Sequence, residues 1–221
     1  MCGRFVLMSR VSDIIDEFGI DDVRWDFSSS YNIAPGQDIA GVINEKGRIL
    51  RKFRWGLIPF WADEPSIGYK MINARAETID TKRSFAEPFR KRRCIIPADG
   101  FYEWKKTAGS KVPYYYYLRN SSPMGFAGIY EKWESEEGNQ IVSCSIITTE
   151  PNKIVKKVHN RMPAILNLEG RELWLDGSIR ETEKLKEILK PYNPSEMDCH
   201  KVTKKINSPE FNNPECIKPV S

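Results

Sequence analysis

Apolar and polar positions along this chain change period several times, and the changes mark its elements. Phe5, Val6 and Leu7 form a short apolar run, which predicts a first strand over residues 3–8. Ser12, apolar positions 14, 15 and 18, and then Gly19 predict a short helix with a serine start and a glycine stop. Residues 20–37 carry no period and end in the turn-rich Tyr31-Asn32-Ile33-Ala34-Pro35-Gly36, so they are expected to be irregular. Runs at 39–43 and 48–54 flank Asn44-Glu45-Lys46-Gly47 and predict a hairpin. Segments 94–96, 100–105, 113–118, 125–133 and 141–148 are rich in β-branched and aromatic residues and read as strands. Helices are expected over 85–92, 152–158, 169–175 and 181–189, the last two exposed. A short strand is expected at 163–167 and a late one at 199–203.

Strands dominate the centre without βαβ alternation, and helices sit at the edges. The expected fold is α+β: one domain over residues 1–221 with a mostly antiparallel, barrel-like β core decorated by short helices. A chain of 221 residues is long enough to bury a sizeable core.

Charge adds little by itself. Thirty-four Lys and Arg against thirty Asp and Glu give a net +4, so a basic footprint must come from segregation in space. No apolar run approaches the roughly 20 residues needed to span a membrane. The residues after Met1 turn polar at once and give no leader, so a cytoplasmic protein is expected, acting at the nucleoid if bacterial. Five cysteines, at 2, 94, 144, 199 and 216, are an odd number with no C-x-x-C, which reads as reduced thiols. Cys199 and His200 are neighbours on a strand and point to opposite faces, a poor metal pair, and no metal site is expected. No phosphate loop, G-x-G-x-x-G or G-x-S-x-G is present, so nucleotide-fold and α/β-hydrolase chemistry lack their signatures.

The chemistry concentrates at the start. Removal of Met1 leaves Cys2 with a free amine and a thiol on one residue. That 1,2-aminothiol condenses with an aldehyde to a Schiff base, and the thiol then closes a five-membered thiazolidine, favoured by proximity. A free cysteine ionises at about 8.5, and a cationic neighbour such as Arg4 is expected to assist it. The plain alternative is a small hydrophobe on a first strand.

Other candidates each carry two readings. Asn73, Arg75 and Glu77 alternate on an extended segment. They are either a solvated face or a site in which Asn73 orients a reacting group and Arg75 holds a phosphate. Glu103 lies between Tyr102 and Trp104, where a carboxyl can be pushed toward neutrality and act as a general acid; otherwise it points outward. His159, in the turn before Pro163, either handles protons or caps a helix, and His200 reads as structural. Trp55, Pro59, Phe60 and Trp61 are either core or base-stacking residues, and Arg4, Arg75 and Arg161 can bind phosphates. Arg90-Lys91-Arg92-Arg93 reads as a solvated helix face, and Tyr114 to Tyr117 as residues alternating across a sheet.

Six motifs occur together in order. They are Met1-Cys2-Gly3-Arg4-Phe5, Tyr31-Asn32-Ile33-Ala34-Pro35-Gly36, Trp55-Gly56-Leu57-Ile58-Pro59, Asn73-Ala74-Arg75-Ala76-Glu77-Thr78, Pro97-Ala98-Asp99-Gly100-Phe101-Tyr102-Glu103-Trp104 and His159-Asn160-Arg161-Met162-Pro163. Together they resemble the SRAP family, the SOS-response-associated peptidase-like proteins that shield abasic sites in DNA. The likeness runs from residue 2 to about residue 205 and is less clear after Phe211. It implies an enzyme that crosslinks itself to single-stranded DNA by Schiff-base chemistry and removes its own Met1. Cys2 would form the thiazolidine, Asn73 position the reacting centre, Glu103 act as general acid and base, and His159 assist sugar opening and crosslink reversal. Arg4, Arg75 and Arg161 would hold phosphates, and Asn32, Pro35, Trp55 and Met162 would shape the strand and stack on bases. No cofactor, metal, membrane or obligate protein partner is implied, and a monomer is expected.

Three rival readings remain. An amidotransferase also uses an N-terminal cysteine after Met, but the expected glutamine-clamping Arg and Asp pattern is missing. A thiol peptidase acting on other proteins would pair Cys2 with His159, an odd arrangement at a chain terminus. A non-covalent DNA-binding module would have no use for the α-amine.

Overall fold

The computed structural model of the chain describes residues 2–220. The strands are β1 (Phe5–Leu7), β2 (Asp22–Val23), β3 (Ser30–Ile33), β4 (Asp38–Asn44), β5 (Arg48–Trp55), β6 (Asn73–Arg75), β7 (Arg93–Ala98), β8 (Gly100–Thr107), β9 (Ser110–Leu118), β10 (Met124–Glu134), β11 (Gln140–Thr149), β12 (Met162–Pro163), β13 (Ile165–Leu166) and β14 (Met197–Lys201). The helices are α1 (Val11–Phe18), α2 (Ala86–Lys91), α3 (Leu168–Leu175) and α4 (Thr182–Ile188). The expected α+β class holds. A five-stranded, barrel-like sheet runs β14-β9-β8-β1-β3, and a second sheet runs β12-β11-β10-β7-β4-β5-β2.

Period-2 alternation explains how the five-stranded sheet serves two cores. Phe5, Phe101 and Tyr116 face the main core, while Val6, Tyr102 and Tyr115 face a smaller one closed by Val202, Ile206 and Cys216. Tyr114 to Tyr117 therefore divide between two packed faces. Gly100 starts β8 because a Cβ there would lie 2.4 Å from the Tyr116 carbonyl oxygen; the strands meet only with glycine.

Several expectations need correction. Residues 20–37 contain β2 and β3, which pair with β5 and β1 and need no strong pattern of their own. The first helix starts at Val11 and not at Ser12: the Asp13 carboxylate accepts the Arg10 N–H at 3.0 Å. Gly19 ends it at φ +59°, as its left-handed stop requires. The helix expected at 152–158 is only a single 3-10 turn, Val155–Lys157, because Asn152 turns its side chain onto the Ile154 and Val155 N–H groups. α3 is not an exposed helix: Trp174 and Leu175 pack into the core. Nor is the run at 90–93 all solvated. Arg93 is buried and donates to the carbonyls of Phe89, Arg90, Trp174 and Asp176, tying α2 to the end of α3.

Among the described residues, no helix is long and apolar enough to cross a membrane.

Candidate active site

The β1–β8 pairing builds the site. Phe5 pairs with Phe101, and the Tyr102 N–H donates to the Arg4 carbonyl at 3.0 Å. Continuing that antiparallel register brings residue 3 opposite Glu103, so the segment at Cys2 runs beside a buried carboxyl. A second scaffold is the end of β11, which takes β6 on one side in parallel and β12 on the other. It carries Asn73 and the 159–162 turn into the same region.

Asn73 donates from Nδ2 to the Cys2 carbonyl oxygen at 2.9 Å. Cys2 is fully buried, and burial, together with the nearby Glu103 carboxylate, pushes its thiol well above the usual range. Arg4 does not activate that thiol, which corrects the expectation from sequence. Its guanidinium donates to Asn32 Oδ1 at 2.8 Å, to the Ile206 carbonyl at 2.7 Å and to the Asn207 carbonyl at 3.3 Å. Arg4 is an anchor for the segment after β14.

Glu103 is 2% exposed, and burial pushes its carboxyl up to about 7. Of the two readings open in the sequence, the inward one holds: Trp104 is the residue half-exposed beside it. His159 Nδ1 lies 3.7 Å from Glu103 Oε1. The same nitrogen accepts the Arg161 N–H at 3.1 Å. Burial, with the Lys106 and Arg161 cations nearby, holds the imidazole below its ordinary range. Burial thus disfavours the charged form of both groups at this contact. The ordinary helix-cap role fails, since only a single 3-10 turn precedes His159.

Arg4, Glu103, Trp104, Lys106, Lys111, His159 and Asn207 line one cleft of about 440 Å³. A larger cavity of about 650 Å³ lies between α3 and α4, but it holds none of the expected site residues.

The remaining candidates separate into two groups. Arg75 is exposed and Pro35 half-exposed, both open to a ligand. Arg161 is engaged bidentately by Glu77, at 2.6 and 2.9 Å, and also donates to the Thr148 carbonyl. Asn32, Trp55 and Met162 are buried and present no face for stacking on a base. Asn32 Nδ2 instead donates to the carbonyls of Ile206, Ser208 and Phe211; Trp55 Nε1 donates to the Ile72 carbonyl; Met162 Sδ receives the Asn152 N–H. All three hold the site's supports together. In the aromatic loop Pro59 is buried, Phe60 is 61% exposed, and Trp61 lies under the Arg83 guanidinium. His200 is structural, with Nε2 against the Ile217 carbonyl at 2.7 Å.

Sequence reasoning missed Trp104, Lys106, Lys111 and Asn207 as cleft residues. The lysines lay just beyond the expected strands 100–105 and 113–118, although they sit equally far from Ala108-Gly109; the structure extends both strands to include them. Asn207 carried none.

Among the described residues, no group of three or more His, Cys, Asp or Glu is arranged to hold a metal ion.

The model of the SOS response associated peptidase family, SRAP, matches residues 1–209. The chain belongs to the SRAP family. An SRAP relative from Bacillus subtilis (strain 168), named abasic site processing protein YoqW, is 46% identical over 222 residues, covering 99% of each chain. Abasic site processing protein HMCES of Gallus gallus is 33% identical over 197 residues, covering 78% of this chain and 58% of that one. A crystal structure of a protein from Bacteroides thetaiotaomicron superposes with a TM-score of 0.89 at 28% identity and full coverage of both chains. The family likeness therefore extends over the whole fold, including the two scaffolds that carry the site.

Proposed function

We propose that this chain processes abasic sites in single-stranded DNA by capturing the ring-opened aldehyde on Cys2 as a thiazolidine. One observation carries the reading above the others. Glu103, a carboxyl that burial holds at about 7, flanks an N-terminal cysteine across the β1–β8 pairing. A group of that acidity serves as acid and base in turn at neutral pH.

The chemistry begins once Met1, which lies outside the described residues, has been removed by a self-directed hydrolysis that consumes one water. The Cys2 amine adds to the aldehyde carbon, forming a C–N bond. Protonated Glu103 then donates to the oxygen, which leaves as water, and a C=N bond forms. The thiol adds to the iminium carbon and gives its proton to the Glu103 carboxylate, which restores the acid, while the ring nitrogen keeps the hydrogen it carried as the amine. One water is released in all and nothing is oxidised. The high thiol pKa suits this order, because the amine attacks first and the thiol reaches only an activated imine. Asn73 holds the Cys2 carbonyl and so aims the amine. His159 takes part in opening the sugar and in reversal.

A missing base favours single strands. The sugar is held by no base pair, and the backbone enters a pocket with little unstacking. Arg75 and Arg161 would take flanking phosphates, Arg161 exchanging or sharing Glu77. Affinity should then fall with salt. The protein acts as a soluble monomer in the cytoplasm without a cofactor or protein partner.

The α-amine separates this reading from the others. Acetylating it should abolish the adduct while non-covalent DNA binding persists, and an adduct that survives acetylation would overturn the proposal. Glutamine hydrolysis by the processed chain would instead favour an amidotransferase.

A further inference from the structure

Lys106 and Lys111 face each other directly across the hairpin of β8 and β9. Directly opposed like charges weaken a strand pair. Neither ammonium is in an ion pair among the described residues, whereas Lys52, Lys91, Lys184 and Lys186 each meet a carboxylate. The pair is also held in place. Thr107 pairs with Ser110 around Ala108-Gly109, the Thr107 hydroxyl donates to the Ser110 carbonyl at 3.1 Å, and Gly109 takes φ +80°. Both lysines line the cleft that contains Glu103 and His159. Trp104 lies on the same face of β8 as Lys106, its indole N–H fixed on Asn207 Oδ1 at 2.8 Å.

We infer that Lys106 and Lys111 form a clamp for one backbone phosphate of the strand entering this cleft. The inference rests on the function proposed above. Opposed residues on paired strands are roughly 5 Å apart at Cα, so two ammoniums can each take one non-bridging oxygen of a single phosphodiester. That anion removes the repulsion that the free hairpin carries. It also fixes the strand on the β8 side of the cleft, opposite Arg75 and Arg161 on the β11 side, so that the sugar between them is drawn across Glu103.

The test uses the full chain and an undamaged single-stranded oligonucleotide, with binding read by fluorescence anisotropy across a salt series. Lys106→Ala, Lys111→Ala and the double variant are compared with Lys132→Ala/Lys190→Ala, which removes the same charge outside the cleft. Either single variant should weaken binding about tenfold at low salt, and the double should be little worse, because one phosphate contact is lost once. The slope of log K against log salt should fall by about 0.7, the single-strand value for one phosphate. The control pair should stay within about twofold of the parent chain. Wild-type affinity and slope in the double variant, an equal loss in the control, or fully additive single losses would each overturn the shared clamp. An abasic oligonucleotide run in parallel with the parent chain keeps the two claims apart. A covalent adduct with no effect of the lysines removes the clamp alone, whereas neither adduct nor DNA binding removes both.

Discussion

Glu103 Oε1 and His159 Nδ1 lie 3.7 Å apart, and the Arg161 N–H donates to that same ring nitrogen at 3.1 Å. That nitrogen also lies 3.2 Å from the Arg161 carbonyl oxygen, so the Arg161 backbone brackets Nδ1 with both a donor and an acceptor. Arg161 thus sets the ring twice over, by its own N–H and by the guanidinium that locks the turn onto Glu77 and Thr148. Burial raises the Glu103 carboxyl to about 7 and pushes the His159 imidazole below its ordinary range, so in both it disfavours the charged form. In the proposed mechanism this pair would be the one to exchange protons with the reacting sugar.

Glu103→Gln should slow crosslinking by about 10²- to 10⁴-fold, the usual loss for a general acid. The same variant has a signature in stability. A carboxyl whose folded pKa is raised from 4.5 to about 7 favours the fold while protonated. That contribution is complete below pH 4.5 and is lost as the pH rises to about 7. It amounts to about 3 kcal/mol at most. Denaturant melts from pH 4 to 8 should show this decline in the parent chain and not in Glu103→Gln. Parallel curves would take the carboxyl out of the buried site.

His159→Ala should alter the rate of adduct formation or reversal. The imidazole's folded pKa is depressed, so stability from this group is present above about 6.5 and is lost as pH falls below it, where the unfolded chain binds the proton more readily. Formation and reversal rates, with denaturant melts of parent and variant, all from pH 5.5 to 8, check both points, and two unchanged rates would leave His159 as a turn residue only.

Cys2→Ser should give at most a labile Schiff base, because an oxygen nucleophile closes no thiazolidine. In the free protein the least buried thiol is elsewhere. Cys199 is half-buried, whereas Cys2, Cys94, Cys144 and Cys216 are buried. Brief alkylation at pH 8 followed by peptide mass analysis should therefore label Cys199 first.

Asn73→Ala removes the 2.9 Å bond to the Cys2 carbonyl. A destabilisation of about 1 kcal/mol is expected. The crosslinking rate should fall by more than that, because the amine is no longer aimed. Denaturant titration and single-turnover kinetics on the same preparation separate the two.

Trp55 distinguishes packing from stacking. Its ring meets Phe5 at 5.2 Å between centroids in the main core. Trp55→Ala should lower stability by about 3–5 kcal/mol. A fully stable variant with weakened DNA binding would restore the stacking role that the sequence suggested.

Much of this was legible in the residues because it depends on local pattern. The hairpin of β4 and β5, the central strands and the Gly19 stop follow from alternation and glycine chemistry. Cys2, Asn73, Glu103 and His159 stood out because each carries a functional group in an unusual setting, although only pairing across β1, β8 and β11 brings them together. What stayed hidden is long-range. Arg4, Asn32 and Trp104 all bond to residues 206–211, which follow the main motifs and have no pattern of their own. Burial is equally hard to read from one strand: Trp55 stood open between core and base stacking, and the resemblance gave Met162 a stacking role, whereas both sit at 0% exposure. β2 and β3 escaped notice because their partners, not their sequence, make them strands.

The most direct measurement is the intact mass of the purified protein after incubation with a single-stranded oligonucleotide bearing one abasic site, followed by heat and denaturation. The account predicts a chain lacking Met1 and a heat-stable adduct equal to protein plus oligonucleotide minus one water. A chain lacking Met1 that forms no adduct would contradict it.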